Sequence, residues 1–157
     1  MQIVAPSIND LPQLVDKVIL FLKEDREEEY RNHFAVFSFN RAKLVSFIIK
    51  NLHSPAYFIR VVKTEKDEII GGMVGYLTSP VFSDDMIAKE LILYFDPDNA
   101  NLSAVFQLIE AFVEWAEKNE VKEVQIANST GFKPEKFALL MKRKGLVPFE
   151  TGYMRRT

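Results

Sequence analysis

Between residues 87 and 127 the sequence changes its period twice, and this constrains the fold more than any other feature. IAKELILYF, over Ile87–Phe95, is an apolar run of strand length, and VKEVQIA, over 121–127, is a shorter one. Between them Leu102, Val105, Phe106, Ile109, Phe112, Val113 and Ala116 recur at helical spacing, and the breaker DPDNAN separates this helix from the first run. A strand, a helix of this length and a second strand form a right-handed crossover, which makes the two strands parallel neighbours.

Upstream, AYFIRVVK over 56–63, the polar turn TEKDE and IIGGMVGYLT over 69–78 read as an antiparallel hairpin, and the loop SPVFSDD leads into the strand at 87. The sheet is therefore mixed. Along the third strand, simple alternation puts Leu91, Leu93 and Phe95 on one face and Glu90, Ile92 and Tyr94 on the other.

Two helices precede these strands. Asp10 is placed to cap the first, which tolerates Pro12 in its first turn and carries Leu11, Leu14, Val15, Val18 and Leu22 inward. Asn40 is placed to cap the second, with Leu44, Val45, Ile48, Ile49 and Leu52 inward and His53-Ser54-Pro55 ending it. After the short strand, NSTG turns into a helix from Pro134 that Gly145 closes, and 146–149 with 152–155 read as a last strand or hairpin. The order αα, ββ, β, α, β, α, β describes an α/β (α+β) domain with a mixed central sheet flanked by about four helices, spanning 1–157 without repeat or linker.

At 157 residues and 48% hydrophobic content such a domain can bury a core without staples. It has no cysteine, which removes thiolate nucleophiles, iron–sulfur clusters and cysteine-ligated zinc, and suits a reducing cytoplasm. A net charge of -2 provides no whole-molecule attraction to nucleic acid or an anionic membrane. Charge is uneven, with acids concentrated over 23–33 and bases over 133–157, and both runs read mainly as solvated faces. No stretch has the length of a membrane span, and the start MQIVAPSIND lacks the features of a signal peptide.

Several features have plain readings. His33 and His53 lack a ligand constellation, so no metal is expected. Gly71, Gly72 and Gly75 lie within a strand pattern and read as a bulge or close strand contact rather than a phosphate loop. Trp115 and most of the phenylalanines fall on core faces rather than between bases, which argues against a nucleic-acid stacking surface.

The segments ELILYFDPDNANLSAVFQLIEAFVEWAEKNEV, KEVQIANSTGF and PEKFALLMKRKGLVPFETGYMRR have the element order and spacing of one family. On them the chain resembles the GNAT superfamily of acyl-coenzyme A dependent N-acyltransferases, specifically its divergent, phage-type members. The resemblance implies a V-shaped splay between the strand ending at Phe95 and the strand over 121–127, entered by the pantetheine of acetyl-CoA. It assigns Leu93 and Phe95 to gripping that arm, and the segment Ala100, Asn101, Leu102, Ser103, Ala104 and Val105 to the pyrophosphate at a helix N-terminus, with Asn128 a further cofactor contact. The family's Arg- and Gly-bearing loop pattern falls on Ala100, Ser103 and Val105, and all three differ from it.

Aminolysis of a thioester needs a proton acceptor for the amine and donors for the oxyanion. By resemblance Glu90 is the base, and burial in an apolar strand would raise its pKa. The alternative is a strand-end carboxylate facing solvent or paired with Lys89 or Arg60. The family's helix tyrosine is Met141 here, which leaves Tyr94, Tyr153 or water to protonate the thiolate. The expected activity is acetyl transfer from acetyl-CoA to an unidentified primary amine by direct attack in a ternary complex. It would take place in the cytoplasm, the host's if the chain is phage-encoded, in a monomer or homodimer without metal or membrane. The rival is an inactive GNAT-like binding or structural module, in a phage particle or against a host protein.

Overall fold

The computed structural model describes residues 1–23, 37–96, 102–128 and 134–149. Most of the acidic run with His33, the loop residues Ala100 and Asn101, Tyr153 and the strand expected over 152–155 lie outside the described residues. The chain divides into two compact units, Met1–Phe21 with Phe39–Ala127, and Leu22–Ser38 with Asn128–Thr157.

The first unit is built on a five-stranded mixed sheet in the order β1 (Gln2–Val4), β2 (Tyr57–Lys63), β3 (Ile69–Thr78), β4 (Ile87–Phe95), β5 (Glu123–Gln125). Neighbours are antiparallel except β4 and β5, which are parallel as the crossover requires. β1 is an addition to the expected elements. Three residues are too few to show a period, and only pairing of Gln2, Ile3 and Val4 with Lys63, Val62 and Val61 makes them a strand.

Helix α3 (Leu102–Lys118) packs on one face of the sheet. Its Ala104, Leu108, Phe112 and Ala116 join Phe58, Val62, Ile70, Met73, Ala88 and Phe95 in one core. Phe112 is fully buried, and burying a side chain of this size contributes about 1.5–3 kcal/mol. Its ring lies 5.4 Å from Phe58 and 5.6 Å from Trp115, so these aromatics are core. The glycines of β3 make room for rings: a Cβ on Gly75 would lie 2.2 Å from Phe112, and one on Gly71 would lie 2.5 Å from Phe95. They are close strand contacts, not a phosphate cradle.

Helix α1 (Leu11–Lys23) serves the opposite face. Leu11, Leu14, Val15, Val18 and Leu22 are buried as the spacing predicts, and so is Phe21, whose ring lies 5.8 Å from Tyr94. Asp10 does not cap this helix. Ser7 precedes a single 3-10 turn, Ile8–Asp10, and the Asp10 carboxylate turns back to accept from Ser7 N–H at 2.7 Å and Ser7 Oγ at 2.8 Å. It also accepts from Lys63 Nζ at 2.6 Å. A buried carboxylate needs partners, and Asp10 finds them both in a capping box with Ser7 and in a cation on β2.

Helix α2 (Arg41–Asn51) is capped by Asn40, whose side chain accepts from Lys43 N–H at 3.0 Å. Ile48 is buried, but Ile49, expected inward, is 52% exposed. On an 11-residue helix the inward stripe is narrower than five apolar positions, and Ile49 falls off its edge. Phe47 meets Tyr57, which in turn stacks on Tyr76 across β2 and β3.

In the second unit, α4 (Pro134–Arg143) starts at the expected proline and buries Leu140 and Met141. Gly145 has φ +76 and no atom near a would-be Cβ, so left-handed backbone rather than space calls for glycine there. Leu146 N–H donates to Met141 C=O at 3.1 Å, closing the helix. Residues 146–149, expected as strand, carry none.

Candidate active site

Helix α3 begins just beyond β4 and returns the chain to lay β5 alongside the first half of β4. The ladder is short: Ile87 pairs Glu123, Ala88 pairs Val124, Lys89 pairs Gln125, and there it stops. β4 runs on to Phe95 with β3 as its partner, so a fork opens between β4 and β5 after Lys89.

A bulge sits at the same point. Val74 of β3 faces Ile92 while Gly75 faces Glu90, which leaves Leu91 as an extra residue in β4. A bulge bends and twists its strand, and this one falls where β4 and β5 stop pairing. It also resets the alternation. Directly opposed residues share a face, so Glu90 follows Gly75 onto the α3 side with Leu93 and Phe95, and leaves Ile92 and Tyr94 on the other. The expected grouping of Glu90 with Ile92 and Tyr94 is corrected accordingly. ELILYF has no polar residue after Glu90 to reveal the change of phase.

Beyond the bulge, Asp96 N–H donates to Ile70 C=O at 2.8 Å, toward β3. Backbone groups alternate in direction along a strand, so those of Phe95 and Leu93 face the fork. Lys17 of α1 holds the Asp96 carboxylate at 3.1 Å and steadies the strand end. Past this point Leu102 is exposed, Ser103 is exposed with its Oγ accepting from Gln107 Nε2 at 3.3 Å, Ala104 is buried and Val105 packs against the core. The first turn of α3 carries no acidic side chain. Asn128 is half-buried, one residue past the first unit.

Glu90 sits where the strands part. Its Oε2 accepts from Ala127 N–H at 3.2 Å, and the nearby Leu93 amide, like that of Ala127, acts to lower its pKa. Part of the residue still meets solvent, yet the protein packed round the carboxylate outweighs both amides, and burial pushes its pKa up to about 7. Among the described residues no ion pair involves Glu90. Arg60 is occupied elsewhere, donating to Ile59 C=O at 2.8 Å and lying over the Phe58 ring. A carboxylate poised near neutrality can take a proton from an amine and release it to water.

Tyr94 is not brought to Glu90. It lies on the α1 face against Phe21 and Gly72, with its hydroxyl buried and unpartnered and its pKa raised by burial above the ordinary tyrosine value. Two features at the fork escape sequence reasoning: the Ala127 amide, which any residue would supply, and Gln125, whose Oε1 is buried without a partner while its Nε2 donates to Glu123 at 2.6 Å. Among the described residues no cluster of three metal-ligating side chains occurs, and no helix is long and apolar enough to cross a membrane.

No sequence-family model matches the chain, and no curated protein does. Solved structures match over its whole length. The aminoglycoside 6'-N-acetyltransferase of Acinetobacter haemolyticus is 11% identical, with 100% of this chain and 98% of that chain covered and a TM-score of 0.70. An aminoglycoside acetyltransferase from an uncultured soil metagenomic sample is 21% identical, with 99% and 95% covered and a TM-score of 0.66. The ribosomal-protein-alanine N-acetyltransferase of Brucella melitensis is 11% identical, with 100% of both chains covered and a TM-score of 0.67. The chain has the fold of the GNAT acetyltransferases.

Proposed function

We propose that the chain is a single N-acetyltransferase domain that transfers an acetyl group from acetyl-CoA to a primary amine by direct attack in a ternary complex. The observation that carries this reading is the fork between β4 and β5, with the Glu90 carboxylate at its apex and the backbone of Leu93 and Phe95 facing its opening. An unpaired strand edge inside a sheet fits an extended, amide-bearing arm, which can add to it as a strand. Solved acetyltransferases of the same fold support the assignment.

Acetyl-CoA would supply the activated thioester. Leu93 and Phe95 would hold the pantetheine arm and direct the thioester carbonyl. Ala100, Asn101, Leu102, Ser103, Ala104 and Val105 would offer backbone N–H groups to the pyrophosphate ahead of and along the first turn of α3, with Asn128, three residues after β5, a further contact. Glu90 would accept the amine proton, directly or through a water. Tyr94, buried on the other face, is left without a part in that transfer, and water would protonate the departing thiolate. The primary amine acceptor, the phage-type grouping, a cytoplasmic setting and a homodimer belong to this proposal on the sequence resemblance.

A second reading is favoured by Met141, buried on α4 where the family carries a proton-donating tyrosine, and by the altered loop at Ala100, Ser103 and Val105. In that reading the fold is kept as a binding or structural module. Calorimetric titration with acetyl-CoA, with the accompanying thermal shift, separates the two. Micromolar binding and, in an amine screen, turnover that Glu90→Gln depresses without weakening cofactor binding are expected of the enzyme. Absence of binding at millimolar acetyl-CoA overturns it.

A further inference from the structure

The ladder between β4 and β5 ends at Lys89 and Gln125, and beyond it one side chain spans the gap. Glu90 leaves β4 yet its Oε2 accepts from the amide of Ala127, on the arm that departs. The Leu93 amide, on the arm that stays, faces the fork and bears on the same carboxylate, lowering its pKa. Amides of both arms thus converge on one group at the point where backbone pairing has stopped, and Ala127 is bonded to it. The bulge at Leu91 sets this reach, because it puts Glu90 opposite Gly75 and on the same face as Leu93. A proton acceptor needs only one free oxygen, so serving two amides on two strands is a separate task.

We propose that Glu90 is the latch of the fork: its carboxylate ties β5 to β4 at Ala127 and occupies the Leu93 amide until the extended arm of a ligand takes that amide over. The inference rests on the reading of the fork as the place where the acetyl-CoA arm adds to β4. In that role Glu90 is a positioning residue as well as the base. It holds the mouth of the fork at one width before the ligand arrives, and the incoming arm exchanges one hydrogen bond for another at Leu93 rather than opening a closed ladder. The carboxylate it displaces from Leu93 keeps Ala127 and turns its second oxygen toward the acceptor amine.

The test is backbone amide exchange by NMR on the whole chain without ligand, for the wild type, Glu90→Gln and Glu90→Ala. Glutamine keeps an acceptor oxygen at the same reach and alanine does not. Ala127 and Leu93 should exchange about tenfold faster or more in Glu90→Ala and stay within about threefold of wild type in Glu90→Gln, while amides of the β2–β3 ladder are unchanged in both. Unchanged exchange at Ala127 in Glu90→Ala overturns the latch, as does equal acceleration in both variants. Should Glu90→Ala fail to fold, Glu90→Gln decides alone, with tenfold faster exchange at Ala127 counting against the latch. Adding acetyl-CoA to Glu90→Ala should restore protection at Leu93 and not at Ala127. If acetyl-CoA fails to bind, the acetyltransferase reading falls while the ligand-free exchange still decides the latch.

Discussion

Glu90→Gln removes a charge while keeping side-chain length and an acceptor oxygen, which makes it a clean probe of what burial does at the fork. In the fold Glu90 has a pKa of about 7 against an ordinary 4.5. As pH rises the unfolded chain therefore releases this proton first. Between those values the folded carboxyl still holds a proton that the unfolded one has lost, so wild-type stability falls as pH rises through the window and levels off above it. With one pKa unit equal to about 1.36 kcal/mol, the full span removes about 3 kcal/mol from the wild type. Glutamine does not titrate. The stability of Glu90→Gln relative to wild type should climb by about 2–3 kcal/mol between about pH 5 and pH 8, or about 5–10 °C in Tm for a chain of this size. Urea melts across that range measure it, and the sole tryptophan, Trp115, stacked on Phe112, reports the loss of the core. A difference that stays flat with pH, or falls, refutes the reasoning, because it would mean that the Ala127 and Leu93 amides outweigh desolvation and that the carboxylate is charged throughout.

Three further substitutions probe the scaffold. Gly75→Ala would drive a methyl to 2.2 Å from the fully buried Phe112 ring, directly opposite Glu90, and should cost roughly 2–3 kcal/mol in urea melts; a loss below about 0.5 kcal/mol would show that the ring has room to move. Asp10→Ala leaves the Lys63 ammonium with Asp67, 2.9 Å away, as its one remaining carboxylate among the described residues, and should cost about 3 kcal/mol. Burial alone would raise the Asp10 pKa, but Lys63 and the two Ser7 donors hold it below 3.8. Its stabilisation is therefore present above the ordinary aspartate range and lost as pH falls through it, so Asp10→Asn should flatten the acid limb of the stability profile. An unaltered limb would show that the pair contributes nothing.

Most of the architecture is legible in local chemistry. Alternation and β-propensity mark β2, β3 and β4 to within a residue, the 3.6 period marks α1 and α3, and proline and glycine bracket α4 at Pro134 and Gly145. The parallel pairing of β4 with β5 follows from the connection, since a helix of α3's length carries the chain back to the start of β4. All of these are properties of a segment or of its immediate neighbours, and periodicity records them directly.

The features that make a site of this scaffold are of another kind. β1 exists only because β2 offers its edge, and the second oxygen of the Asp10 carboxylate, beside the one bonded to Ser7, meets Lys63 across the fold. The phase of β4 changes at Leu91, and nothing within ELILYF can announce that, since every position after Glu90 is apolar or aromatic and accepts either face. Glu90 could be singled out as the one acid in an apolar strand. Which way it faces, that β5 stops pairing beside it, and that the Ala127 amide reaches it are consequences of register between strands distant in sequence. A pKa near neutrality is set by the density of protein around one carboxylate, and that density exists only after distant segments have packed.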